Sequence, residues 1–211
     1  MTGLELFLIY GAARLLTKAF GSNSSPRVPS IQTSIFPPEK IITFVGRTGA
    51  GKSSTANAVL GYPAFDVGAT HGTTTQATMK EFRSGYFIQD TPGLLDNFDY
   101  RKIIFDAIKP SELVIYTTTG QLYRKELEVL QEILEKQQTW DNASNSMGKR
   151  MLALYVNQQD VREIAKPTYV RAKEEQVIRE QVGGWIAAEK VFFGAAAPVK
   201  MESSTVHKLT I

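Results

Sequence analysis

The chain has 211 residues, enough for one domain with one sizeable core plus some extra segments. Hydrophobic residues make up 43% and charged residues 21%, ordinary proportions for a globular protein, and the net charge of +3 is too weak and too scattered to signal nucleic-acid binding. There is no cysteine, so disulfides and thiolate metal sites are excluded and a reducing cytoplasmic compartment fits best.

Residues 4–20 are mostly apolar, interrupted by Glu5, Arg14 and Lys18. A bilayer span takes about 20 clean apolar residues, which this segment lacks. No basic residue precedes the apolar run, so a secretory signal does not fit. Two readings stand. The segment from Leu4 to Phe20 is an amphipathic helix meeting a membrane surface or a partner helix, with Arg14 and Lys18 one turn apart. Or it is a helix packed on the domain's own core. Residues 21–38 are rich in Ser, Pro and Asn and read as a linker. The main domain is then 39–211.

Lys40–Val45 is a short β-branched and aromatic run, expected as a buried strand. Lys52–Leu60 has helical spacing and stops at Gly61-Tyr62-Pro63. Residues 66–76 form a loop dense in Gly and Thr. Residues 78–82 and 86–90 read as a hairpin around Arg83-Ser84-Gly85. A helix is expected over 100–108, ended by Pro110, and a strand over 113–117. Residues 124–137 place Leu127, Leu130, Ile133 and Leu134 on one helix face, and 139–149 read as a polar loop. A strand over 151–156, a helix over 169–182 and a strand over 191–194 complete the pattern. Alternating strands and helices predict an α/β fold: a mostly parallel central sheet covered by helices on both faces.

Residues 46–53 read Gly-Arg-Thr-Gly-Ala-Gly-Lys-Ser, matching G-x-x-x-x-G-K-[ST] between a strand and a helix. Gly46, Gly49 and Gly51 let the backbone turn tightly and aim its N–H groups at phosphates. The helix that follows points its positive end at the same anions. Lys52 can reach the β and γ phosphates, and the Ser53 hydroxyl can bind Mg²⁺. Arg47, Thr48, Ala50 and Ser54 complete the expected nucleotide contacts, with Arg47 read as an exposed arginine.

Asp90-Thr91-Pro92-Gly93 follows the strand 86–90. A carboxylate at that strand end can hold Mg²⁺ through water. Gly93 can set its N–H against the γ phosphate, whose loss would release the loop. In Gly72-Thr73-Thr74-Thr75-Gln76 one hydroxyl can complete the Mg²⁺ shell when the γ phosphate is present. Thr75 is favoured because it directly precedes Gln76, with Thr74 the alternative. Lys52 and Thr75 are the expected catalytic groups. His71, in the same loop, is read as solvated.

These three motifs, in this order, resemble the GTPases related to translation factors, the TRAFAC class. Residues 46–61 together with Asp90-Thr91-Pro92-Gly93-Leu94-Leu95-Asp96 look most like the GIMAP/Toc/septin-like branch, with Era-like GTPases as close competitors. The resemblance covers roughly residues 40–197. It implies a guanine nucleotide, GTP or GDP, with Mg²⁺. It also implies an Asn/Thr-Lys-x-Asp box after a strand. Asn157-Gln158-Gln159-Asp160 takes that place, with Asp160 matching the carboxylate that reads the guanine N1 and exocyclic amine, and Gln158 departing from lysine. Gly194-Ala195-Ala196 stands where the last box would be, with Ala195 offering its N–H to the guanine oxygen.

In many small GTPases a glutamine after the D-x-x-G motif orients the attacking water. Leu94 stands there and cannot. Slow hydrolysis is therefore expected, with the missing group supplied by another residue, by a partner or by a second copy in a nucleotide-dependent homodimer. A GTP-gated assembly module and, on Gln158 alone, an ATP-binding P-loop protein are the alternatives. The family's closing helix would follow the last box, where 198–211 allow only a short or truncated one. The segment 4–20 is a candidate cover for that face.

Overall fold

The computed structural model describes residues 40–68, 74–94, 100–144, 150–159 and 170–196. The expected helix at 4–20, the linker and the segment 198–211 lie outside these residues. The described elements are β1 (Lys40–Val45), α1 (Lys52–Leu60), β2 (Thr78–Arg83), β3 (Tyr86–Asp90), α2 (Arg101–Ile108), β4 (Leu113–Thr118), α3 (Arg124–Ser144), β5 (Met151–Val156), α4 (Arg171–Val182), a short 3₁₀ turn (Ala188–Lys190) and β6 (Val191–Phe193).

The six strands form one sheet in the order β2-β3-β1-β4-β5-β6. Only the β2–β3 pair is antiparallel; β3, β1, β4, β5 and β6 run parallel. The hairpin closes through Ser84 and Gly85, the latter at φ 76, a left-handed turn position that suits glycine. The inner parallel strands β1 and β4 are buried along nearly their whole length because helices cover both faces. On one face Val45, Val114, Tyr116, Leu130, Ile133 and Ile178 join α2, α3 and α4 in a single cluster. On the other, Ile42, Phe44, Ile88, Ile115 and Tyr155 pack with Ala56 and Phe65. Among the described residues, α1 is the only helix that contributes to this second cluster.

The helix α3 departs from the sequence expectation. It runs on to Ser144, through positions 139–144 that read as polar loop. The reason is tertiary. Trp140 packs on the core cluster, and the Asp141 carboxylate accepts from the Arg150 N–H at 3.0 Å and pairs with its guanidinium. The Arg150 guanidinium also donates to the Lys109 carbonyl at 3.1 Å, tying the end of α2 to the start of β5. Among the described residues no helix is long and apolar enough to cross a membrane.

The fold sets the site by register. Phe44 of β1 pairs with Asp90 of β3, and Val45 pairs with Tyr116 of β4. The loops after these three strands therefore leave the sheet at one edge, the carboxyl end of its parallel strands, where ligands of such sheets bind.

Candidate functional site

The loop from Gly46 to Gly51 joins β1 to α1 with a backbone that only glycine tolerates at two points. Gly46 sits at φ 145, and a Cβ there would meet the Thr117 carbonyl oxygen at 2.1 Å. Gly51 sits at φ 85, and a Cβ there would meet Asn157 Nδ2 at 2.1 Å. Gly51 is the N-cap of α1, with no side-chain cap and no acidic residue in the first turn. The first N–H groups of α1 thus keep their positive character for an anion. Lys52 is buried, its ammonium donating to the Arg47 carbonyl at 3.2 Å. Thr48, Ser53 and Ser54 are half-buried on this rim, Ala50 is buried and Gly49 is exposed.

Beside the loop, the Ser53 hydroxyl donates to Asp90 Oδ2 at 2.6 Å. Burial pushes the Asp90 carboxyl above its ordinary value; the Ser53 hydrogen bond, the Lys52 charge, the Thr91 N–H and the Thr74 hydroxyl each pull it back in part. Asp90 Oδ1 is buried without a hydrogen-bond partner. A buried carboxylate oxygen left unpaired is costly. A divalent cation shared with Ser53 would satisfy it, so the residues present fit Mg²⁺. Among the described residues no group of three or more His, Asp or Glu is placed to hold a metal alone.

Of the two threonines weighed from sequence, Thr74 is half-buried and bears on Asp90, whereas Thr75 is exposed. The loop after β3 is stitched to β1 and the phosphate loop. The Thr91 hydroxyl donates to the Phe44 carbonyl at 2.7 Å, and the Leu94 N–H donates to the Gly46 carbonyl at 3.1 Å. Gly93 is buried between them in sequence, and the Leu94 side chain belongs to the core cluster.

Arg47 corrects an expectation. It is not the exposed arginine read from the sequence but half-buried. Its Nη2 donates to the Thr119 hydroxyl at 2.5 Å, and its guanidinium carbon stands 5.3 Å from the Tyr123 ring centroid. The pull comes from the β4–α3 loop, which offers an acceptor and an aromatic face.

Asn157 is buried at the end of β5 and clasps three segments. Its backbone N–H donates to the Thr118 carbonyl at 2.7 Å, its Nδ2 to the Ala50 carbonyl at 3.1 Å, and its Oδ1 accepts from the Ala196 N–H at 2.9 Å. Gln158 sits at φ 59, a left-handed conformation unusual outside glycine. The Gln159 N–H donates to the Gly194 carbonyl at 3.2 Å, closing the 157–159 turn onto the loop that carries buried Ala195. Asp160, His71 and Thr73 lie outside the described residues. The sequence reading missed the anchoring roles of Ala196, Thr119, Tyr123 and Glu126. Only Glu126 left a signal, an acidic residue in the first turn of a helix.

The chain is similar to several known proteins. Over 64 residues the chain is 41% identical to Immune-associated nucleotide-binding protein 9 of Arabidopsis thaliana, a match that covers 28% of this chain. The chain spans about a fifth (19%) of that relative's length. Among solved structures it is similar to Era in complex with MgGDPNP and a fragment of 16S ribosomal RNA, at TM-score 0.55 and 14% identity, over 81% of this chain and 55% of that one. It is also similar to a dimerization-deficient mutant of Toc33 from Arabidopsis thaliana, at TM-score 0.53 and 14% identity, over 95% of this chain and 82% of that one. At such identities these likenesses establish the fold, a P-loop GTPase sheet. Residues 41–156 match the family model described as 50S ribosome-binding GTPase, and the chain belongs to that GTPase family.

Proposed function

We propose that this chain binds GTP with Mg²⁺, hydrolyses it slowly and acts as a nucleotide-dependent switch. The observation that carries this reading is the Ser53–Asp90 pair, at 2.6 Å, with Asp90 Oδ1 buried and unpaired beside the glycine loop. Lys52, keeping one ammonium hydrogen on the Arg47 carbonyl, would turn the others to the phosphates, while the uncapped N–H groups of α1 donate to the same anions. Ser53 and Asp90 would hold the metal, which when bound neutralises charge on the phosphates. A threonine of the 72–76 loop would close the shell in the triphosphate state. The position of Thr74 beside Asp90 favours it over Thr75. Asn157 would hold the base loop against the phosphate loop, and Asp160 and the Ala195 N–H would read guanine.

The slow rate follows from Leu94. Its N–H is committed to Gly46 and its side chain to the core, so it offers no group to an attacking water. The same observation favours a second reading, a GTP-gated homodimer whose partner copy supplies what Leu94 lacks. Toc33, described through a dimerization-deficient mutant, lends this reading support by likeness of fold. Contact with a membrane or partner helix through 4–20 belongs with it.

Competition of GTP, ATP and XTP for the purified chain tests the nucleotide. GTP should win in the wild type, and Asp160→Asn should move preference toward XTP. Equal binding of ATP and GTP, unchanged by Lys52→Ala, would overturn the reading. Turnover per molecule that rises with protein concentration selects the homodimer; a flat rate selects the lone switch.

A further inference from the structure

Arg47 connects the phosphate loop to the β4–α3 loop. On one side, its carbonyl accepts from the Lys52 ammonium at 3.2 Å and from the Ala50 N–H at 3.3 Å. On the other, its guanidinium donates to Thr119 at 2.5 Å and lies over the Tyr123 ring at 5.3 Å. The far end is itself fixed. Glu126, wholly buried, accepts from the Tyr123 N–H at 3.1 Å and the Thr118 hydroxyl at 3.3 Å. The Glu126 N–H returns a bond to the Tyr123 carbonyl at 2.9 Å, a reciprocal cap. The buried Tyr116 hydroxyl feels both charges: burial and then Glu126 hold its proton on, and Arg47 opposes them. Tyr123 itself is 63% exposed, so the turn presents an aromatic face to solvent while gripping the loop from behind.

We propose that Arg47 is a positioning residue that couples the β4–α3 loop, through exposed Tyr123 and through Thr119, to the Lys52 ammonium. Whatever settles Lys52 on phosphate then also settles Tyr123. This rests on the reading of Lys52 as a phosphate ligand.

Calorimetry on the full chain, with GDP and a non-hydrolysable GTP analogue in Mg²⁺, tests it. Tyr123→Ala should weaken both nucleotides about 2- to 5-fold, the loss equivalent to one exposed cation–ring contact. Tyr123→Phe keeps the ring and should match wild type. Arg47→Ala should weaken binding at least as much as Tyr123→Ala, and adding Tyr123→Ala to it should change nothing more. Because Tyr123 is exposed, its truncation leaves the core intact. Unchanged affinity in Tyr123→Ala, or losses that multiply in the double variant, would overturn the proposal. Lys52→Ala in the same series separates the two readings. If it abolishes binding while Tyr123→Ala is silent, only the coupling fails; if it too is silent, the phosphate-loop reading fails.

Discussion

The Ser53 hydroxyl and the Asp90 carboxylate meet at 2.6 Å, and the meeting leaves the second Asp90 oxygen buried with nothing to bond. Burial raises the folded-state pKa of Asp90. A raised acid pKa means the folded state binds the proton more tightly than the unfolded state. Free of ligand, the protein therefore loses stability as pH rises from below the ordinary carboxylate value through the raised one. Asp90→Asn should flatten that slope in urea unfolding followed from acid to neutral pH. The same variant should weaken Mg²⁺-dependent GTP binding by about 10- to 100-fold, as removal of a metal's supporting partner does. A slope that survives the substitution would assign it to another group.

The glycines of the loop should differ sharply. Gly49→Ala meets open space and costs only the left-handed backbone strain, about 1–2 kcal/mol. Gly46→Ala adds a collision with the Thr117 carbonyl and should cost more, read as a lower urea midpoint. Gly51→Ala should displace Asn157 and weaken nucleotide binding beyond its effect on stability.

Leu94→Gln supplies the side chain common in small GTPases, yet it should not speed hydrolysis in single-turnover assays. The residue is 7% exposed and packed in the α2–α3 core. Burying the amide should instead cost about 1–3 kcal/mol, seen as a lower melting temperature.

Asn157→Ala should orphan the Ala50 carbonyl and the Ala196 N–H together, at about 1–3 kcal/mol for each group. Asn157→Asp keeps the acceptor for Ala196 but loses the donor to Ala50. Its carboxylate would be buried against the Ala50 carbonyl oxygen, so at neutral pH it should be at least as destabilising as alanine in chemical denaturation.

The sequence made the local features legible. The phosphate-loop glycines and the strands Lys40–Val45, Tyr86–Asp90 and Met151–Val156 follow from residues close together in the chain. Features that depend on distant partners did not show. Arg47 turns to Thr119, 72 positions away, and no local pattern marks that acceptor. Residues 139–144 look like loop because Thr139, Asp141 and Asn142 are polar; the helix is extended there by Trp140 in the core and by Arg150 across the gap. Thr74 and Thr75 are chemically identical neighbours, and only the path of the chain into β2 decides which one faces Asp90.

The amide of Asn157 reaches across 107 positions to Ala50 while gripping Ala196 with its other end. The phosphate loop and the loop after β6, the two halves of the proposed nucleotide cradle, consequently share a hinge pin. Neither half loosens alone, so phosphate and nucleoside fragments should bind less well apart than their sum predicts, and the intact nucleotide should gain the difference.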